Sequence, residues 1–171
     1  LTHELYGARP YGRTLIGTRA SIEGLQSEDI RHFFETHRSP ESTYVIAVGA
    51  FDPNELGAAF DEALGPTVDH PETETPDFGW KPPTQPKVII VDRPQAAQTE
   101  LRMGHVSVAR THPDRTVLTV LNSLLGGKFT SRINLNLRER HGYTYGVSTS
   151  FAHRRGPGPF VISTAVGTEV T

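Results

Sequence analysis

The most informative segment of this chain is Gly126–Gly146, which reads GGKFTSRINLNLRERHGYTYG. It begins with a double glycine, continues as a short amphipathic helix, breaks again at Gly142 and ends as the start of a strand. The turn at Gly142 brings the strand back toward the end of the helix. We therefore expect Arg138 and Tyr145 to face one common space, where an arginine fork and a phenol can hold the carbonyls of an extended peptide.

Composition and charge exclude several classes of function. The chain has 171 residues, 36% apolar and 21% charged, as is typical of a folded globular protein. Its net charge of −2 provides no basic field for nucleic acid. The apolar runs are too short to span a bilayer. The absence of cysteine excludes disulfides and thiolate catalysis, and it is compatible with either the cytosol or the periplasm.

The N-terminal part reads as helix, strand and helix. Leu1–Tyr6 resembles the last turn of a helix, and a second helix is predicted from Ser27 to about His37. The β-branched run Thr43–Gly49 predicts a strand. Asp52, followed by Pro53, is the predicted N-cap of the next helix.

The proline-rich stretch 65–86 predicts an extended linker, with Phe78–Trp80 docked on a neighbouring surface. After it the pattern of elements restarts. The predicted elements are a strand at Lys87–Asp92, a strand at Gln98–Val108, a helix from Pro113 to Leu125, the short helix before Gly142, and a hairpin of Thr144–Ala152 with Phe160–Val166.

This order predicts an α+β fold with a mostly antiparallel sheet and helices packed on one face. We expect residues 1–64 to form the C-terminal part of a first half-repeat, residues 65–86 a linker, and residues 87–171 the N-terminal part of a second half-repeat. Because both ends of the chain fall inside predicted elements, we expect it to be a piece of a longer protein.

Two motifs invite a metal or phosphate interpretation, and neither fits. His32 and His37 are five residues apart, whereas zinc ligands on one helix face need a spacing of four. The double glycine before Lys128 lacks the remaining residues of a phosphate-binding loop, since Phe129 stands where serine or threonine is required. No intact zinc site is predicted. We expect Arg132, Asn134 and Asn136 to be solvated or to cap locally.

Three stretches carry a resemblance to a known family. They are Pro10–Arg13 followed by Gly17–Thr18 and Ser21–Ile22, then Val48–Pro53, and above all Leu125–Gly146. In order and spacing they resemble the insulinase/pitrilysin (inverzincin) zinc metallopeptidases, in a region running from the end of the first half into the half that lacks zinc. The last stretch is the specific one.

The resemblance implies two similar halves that enclose a chamber. One half carries H-x-x-E-H and binds zinc, and the other supplies an arginine and a tyrosine that hold the substrate backbone. These fall on Arg138 and Tyr145. The chain lacks the H-x-x-E-H motif, so it should have no catalytic residue, no metal and no activity alone. Its implied partners are a peptide or unfolded protein and a zinc-bearing half or subunit. The resemblance favours a periplasmic or envelope location over the cytoplasm.

Two alternatives stay open. One is a structural or assembly subunit of the same fold that binds no peptide, in which an internal salt bridge would occupy Arg138. The other is an unrelated α+β ligand-binding domain that lacks the half-repeats.

Overall fold

The structure of the chain is a computed structural model that describes residues 1–37, 43–65 and 85–171. The described residues fall into two compact units. One unit contains Leu1–Leu15 together with the described part of Pro76–Thr171, and the other contains the described part of Ile16–Thr75. The N-terminal residues therefore pack with the C-terminal half of the chain.

A three-stranded antiparallel sheet organises the first unit. Its strands are β1 (Gln98–Val106), β2 (Val147–Phe151) and β3 (Pro159–Gly167). Their order is β1-β3-β2, so the last strand of the chain lies in the middle. In the register of the sheet, Val147 and Leu101 lie on opposite sides of Thr164.

Helices precede and follow these strands. Helix α5 (Arg115–Leu125) packs against β2. A single α-helical turn, α6 (Arg132–Asn134), continues directly into a π-helical segment, Leu135–Arg140. At the N-terminus lie the short helix α1 (Thr2–Tyr6) and a 3₁₀ turn, Pro10–Gly12. A last 3₁₀ turn, Thr168–Val170, follows β3.

Two phenols hold the N-terminal segment on the loop between β2 and β3. The buried Tyr6 donates a hydrogen bond to the carbonyl of Pro157 at 2.9 Å. The Tyr11 hydroxyl accepts one from the backbone N–H of Gly156 at 3.0 Å. The guanidinium of Arg154 lies 4.7 Å from the centre of the Tyr11 ring, close enough for a cation–π contact. Burial raises the pKa of Tyr6 to about 12.

The second unit is helical. It contains α2 (Arg19–Glu23), α3 (Ser27–His37) and α4 (Pro53–Leu64). The predicted cap of α4 is confirmed, because Asp52 Oδ1 accepts hydrogen bonds from the backbone N–H groups of Asn54 and Glu55. Among the described residues, no helix is long and apolar enough to cross a membrane.

The α+β class and the antiparallel hairpin are confirmed, but two predicted strands are wrong. Neither Thr43–Gly49 nor Lys87–Asp92 forms a strand, and Ile46 and Ile90 are 89% and 87% exposed. Both segments have strand-like sequences. A strand also needs a partner edge for its backbone groups, and these segments pair with none among the described residues. Most of the predicted linker, including Phe78–Trp80, lies outside the described residues.

The raised pKa of Tyr6 predicts a loss of stability at alkaline pH. The ordinary value is 10 and the folded value is about 12, so the folded state favours the neutral phenol. Its contribution is complete below pH 10 and is lost as the pH rises toward 12, because the unfolded chain releases this proton first. In urea titrations at about pH 9 and about pH 11, Tyr6→Phe should lose less unfolding free energy between the two conditions than wild type.

Tyr44→Phe is the matched control for this experiment, since it removes an exposed phenol from the other unit. It should keep the wild-type pH dependence. At the lower pH, Tyr6→Phe should already be less stable by about 1 kcal/mol, the value of one hydrogen bond. An identical pH dependence in Tyr6→Phe and wild type would contradict the assignment.

Candidate functional site

The double glycine lets the end of α5 approach β2 closely. A Cβ at Gly126 would lie 2.5 Å from the Thr149 side chain, and a Cβ at Gly127 would lie 2.9 Å from the carbonyl oxygen of Asn122. Because these glycines lack a Cβ, Thr149 comes close enough to the end of α5 to form hydrogen bonds with it. The Thr149 backbone N–H donates to the Gly126 carbonyl at 3.1 Å, and the Thr149 hydroxyl donates to Asn122 Oδ1 at 2.8 Å. These glycines therefore serve the close packing around the end of α5.

A buried amide, that of Asn134, connects α6 to the start of β2. Its Oδ1 accepts from the Val147 backbone N–H at 2.8 Å, and its Nδ2 donates to the Val147 carbonyl at 2.7 Å. Nδ2 also donates to the Lys128 carbonyl at 3.1 Å. The side chain thus pairs with the outer edge of β2 as a backbone strand would.

The expectation that Asn134 is solvated or caps locally was wrong, since the residue is 5% exposed and its side chain bonds the backbone of Val147. Its neighbours Arg132 and Asn136 are exposed, as expected. The difference is one of contact, since Asn134 bonds to the start of β2 whereas its two neighbours are exposed to solvent. No local sequence signal predicts this burial, because the strand residue that Asn134 bonds, Val147, is thirteen residues away. A buried amide must find polar partners inside the fold.

The π-helical segment and Gly142 then set the direction of the chain. The N–H of His141 donates to the Asn136 carbonyl at 3.2 Å, five residues back, which is the π-helical pattern. Gly142 follows with φ of 67°, in the left-handed region that glycine enters without steric cost. Its N–H donates to the Arg138 carbonyl at 3.0 Å, and that of Tyr143 donates to the Leu137 carbonyl at 2.9 Å. The helix therefore ends in the turn that the sequence predicts.

Arg138 extends from this π-helical segment over an aromatic ring. Its guanidinium carbon lies 4.0 Å from the centre of the Phe129 ring, and about a third of the side chain is exposed. The closest carboxylate is that of the adjacent Glu139, with Nη1 to Oε1 at 3.7 Å, too long for a hydrogen bond. Nη1 is buried and donates to no acceptor among the described residues.

Tyr145 lies beyond the turn, 88% exposed. It lines an open cavity of about 340 Å³ with the neighbouring Tyr143, the first residue of β1 (Gln98) and Glu169. Arg138 does not line this cavity. The structure thus places the two predicted site residues at the two ends of the Gly142 turn, and not in one cavity.

Two buried threonines fix the backbone that carries Tyr145. The hydroxyls of Thr144 and Thr164 lie 2.9 Å apart and share a hydrogen bond. Both hydroxyl oxygens also lie within hydrogen-bond distance of the Gly146 carbonyl oxygen, at 3.0 and 3.1 Å, and their two protons serve two of these three contacts at a time. Because Thr164 belongs to the central strand β3, the turn before β2 is attached to the middle of the sheet.

A larger cavity, of about 820 Å³, lies between α1, the segment 85–91 and one face of β1. Neither predicted site residue lines it. It contains the ion pair of Lys87 with Glu4, and the hydrogen bond and charge of Lys87 hold the pKa of Glu4 below its ordinary value. Both side chains are solvent-exposed, so this pair contributes little to stability.

In the part of the chain that the structure describes, no group of three potential ligands among His, Asp and Glu could hold a metal ion. The two histidines of α3, His32 and His37, belong to no such group. His37 instead stacks on Phe33, with ring centroids 4.1 Å apart, and its Nδ1 lies 2.9 Å from the Phe33 carbonyl oxygen.

The geometry and sequence can now be compared with known proteins. Residues 24–171 match the family model of the peptidase M16 inactive domain. The chain belongs to the peptidase M16 family. The match covers the segment with Arg138 and Tyr145, and it confirms the resemblance to the non-catalytic half of these zinc proteases.

Among curated relatives, the chain is 29% identical over 150 residues to the uncharacterized zinc protease SCO5738 of Streptomyces coelicolor, covering 85% of this chain and 32% of that protein. It is 30% identical over 146 residues to the uncharacterized zinc protease Rv2782c of Mycobacterium tuberculosis, covering 84% and 33%. A probable inactive metalloprotease, YmfF of Bacillus subtilis, is 24% identical over 152 residues, covering 85% and 34%. The chain thus spans about a third of the length of these M16 relatives.

Solved structures agree on the fold. The peptidase M16 inactive domain from Pseudomonas fluorescens superposes with a TM-score of 0.77 at 26% identity, covering 98% of this chain and 40% of that one. A protease from Helicobacter pylori gives a TM-score of 0.75 at 20% identity, covering 95% and 40%. The second comparison shows the fold alone.

Asn134 should be essential for the stability of this M16 domain. Asn134→Ala leaves the backbone N–H and carbonyl of Val147 buried without their partners, so the free energy of unfolding should fall by about 2–4 kcal/mol. Urea denaturation monitored by circular dichroism measures the loss. Asn136→Ala, an exposed change in the same segment, should stay within about 0.5 kcal/mol of wild type. Equal effects of the two substitutions would contradict the assigned role.

Proposed function

We propose that this chain is the substrate-holding, non-catalytic portion of an M16 zinc protease. Arg138 and Tyr145 hold the backbone of an extended peptide while a zinc site on another half or subunit hydrolyses it. The family match supports the general role, since the matching model is that of the inactive domain. The zinc ion and the acid–base chemistry belong to the partner half, and this chain contributes binding and orientation.

One observation carries the proposal: the buried Nη1 of Arg138 donates to no acceptor among the described residues. A buried donor that forms no hydrogen bond costs about 1–3 kcal/mol, more when it is charged. The partly exposed fork can recover this energy by a small rotation that brings Nη1 to a peptide carbonyl. The Phe129 ring beneath the guanidinium keeps the fork in one plane during this contact.

The sheet offers a second element of peptide binding. Strand β1 is an edge strand, and among the described residues no further strand pairs with its outer edge. The opposite edge, that of β2, is already occupied by the Asn134 side chain and the Gly126 carbonyl. An extended peptide paired with β1 would approach Tyr145 at the Gln98 end, because both residues line one cavity.

The same proposal includes a division of the chain into two partial half-repeats and a linker. We infer that residues 1–64 complete a first half-repeat and that residues 87–171 begin a second one, with the stretch 65–86 linking them. In each half-repeat, helices would cover one face of the sheet. The apolar residues exposed in Thr43–Gly49 and Lys87–Asp92 would then be covered by segments of the remaining protein, since these strand-like sequences form no strand pairing within the part of the chain that the structure describes.

An assembly subunit without peptide binding is the second candidate. The observation in its favour is the proximity of Glu139 to Arg138, which could neutralise the guanidinium internally. At 3.7 Å, between chain neighbours and with half of the glutamate exposed, this pair is weak. It therefore leaves the guanidinium available.

Peptidase activity of the protein with its zinc-bearing half decides between the two candidates. Arg138→Ala should lower kcat/KM at least tenfold, about 1.4 kcal/mol of transition-state binding, because a charge-assisted hydrogen bond is lost. Tyr145→Phe should lower it in the same direction through loss of the phenol donor. Arg138→Lys should recover only part of the activity, because it keeps the charge but not the fork.

Arg140→Ala is the matched control, since it removes an exposed arginine from the same π-helical segment. Its kcat/KM should equal that of wild type. Unchanged activity in both Arg138→Ala and Tyr145→Phe would reject the substrate-holding role and favour the assembly subunit.

A further inference from the structure

The cavity beside Tyr145 is lined by aromatic, amide and acidic side chains. Two phenols, Tyr143 and Tyr145, line it together with the Gln98 amide and Glu169. Among its described lining residues, Glu169 alone carries a charge. Glu169 forms no ion pair with any residue that the structure describes. The cavity therefore combines one acidic residue, which forms no ion pair with the described residues, with two tyrosines.

The position of the Glu169 carboxylate depends on a glycine. Gly167 lies directly beneath it, and a Cβ there would come within 2.3 Å of Glu169 Oε1. The turn that carries Glu169 is fixed from both sides. The Thr168 hydroxyl donates to the Ala96 carbonyl at 3.1 Å, and the Thr171 hydroxyl donates to the Thr99 hydroxyl at 2.8 Å. Both acceptors flank the start of β1, which lines the same cavity.

We propose that this cavity is a specificity pocket for a cationic group of the bound peptide, the side chain of lysine or arginine. A cavity lined by a carboxylate residue and aromatic residues suits ammonium and guanidinium groups, which can form a charge-assisted hydrogen bond with the one and a cation–π contact with the other. A volume of about 340 Å³ accommodates one such side chain. An acidic side chain would meet the repulsion of Glu169.

This inference rests on the proposed peptide-binding role, because the pocket lies beside the phenol assigned to the backbone of the peptide. The two assignments use different parts of the ligand. Arg138 and Tyr145 contact main-chain groups that every peptide has, whereas Glu169 contacts one side chain. Loss of backbone binding should weaken all peptides alike, and loss of the pocket should change only the preference among them.

Fluorescence anisotropy with the full-length protein tests the pocket. The probes are two series of labelled peptides that carry either lysine or norleucine at one position at a time, so that length and apolar stem are matched. At one position, lysine should bind about fivefold more tightly than norleucine, as expected for a partly exposed ion pair with aromatic contacts. Glu169→Gln should abolish this preference and leave binding of the norleucine series unchanged.

Two further variants separate the possible outcomes. Gly167→Ala keeps the charge but displaces the carboxylate, so it should also reduce the preference, and the backbone φ of −56° at Gly167 is one that alanine adopts freely. Glu62→Gln removes an exposed charge from α4 and should change nothing. Equal binding of lysine and norleucine peptides at every position, or a preference that survives Glu169→Gln, would overturn the pocket. If Arg138→Ala still weakens both series in that case, the proposed function stands without it.

Discussion

The arrangement of the first unit depends on the pairing between the side chain of Asn134 and both backbone groups of Val147. A carboxamide has one acceptor and two donors, so it can replace a strand at the edge of a sheet and still bond a third group, here the carbonyl of Lys128. The pairing fixes the π-helical segment against β2. Arg138 lies four residues after Asn134, and Tyr145 lies two residues before Val147. The pairing of this one amide therefore fixes the backbone close to both candidate ligand-binding residues.

The candidate site combines a backbone that is fixed by hydrogen bonds with side chains whose polar groups are not all bonded. Thr144 and Thr164 attach the turn before β2 to the central strand β3, and the glycines after α5 allow its end to contact β2. By contrast, the guanidinium of Arg138 keeps a donor without an acceptor, and the cavity at Tyr145 is open to solvent. A rigid frame lowers the entropic cost of binding, and unsatisfied groups on it gain most from a ligand.

Local signals in the sequence were sufficient for some elements and not for others. The hairpin of β2 and β3 and the Asp52 cap were predicted because their determinants lie within a few neighbouring residues. The segments 43–49 and 87–92 have an equally strand-like sequence and do not form strands, because pairing depends on an edge supplied from elsewhere. Asn134 was missed because its partner, Val147, is thirteen residues away. The segment with Arg138 and Tyr145 could be found from its motif, but their separate surroundings depend on tertiary packing.

The π-helical segment Leu135–Arg140 has a consequence for comparing related chains. A π-helical turn accommodates one residue more than an α-helical turn, and each α-helical residue rotates the chain by about 100°. A relative that lacks one residue between Asn134 and Gly142 would return to α-helical geometry. Its arginine, although aligned with Arg138, would lie on another face of the helix and away from the ring of Phe129. When related chains are compared, the length of this segment should therefore be considered together with the presence of the arginine, because both determine where the guanidinium lies.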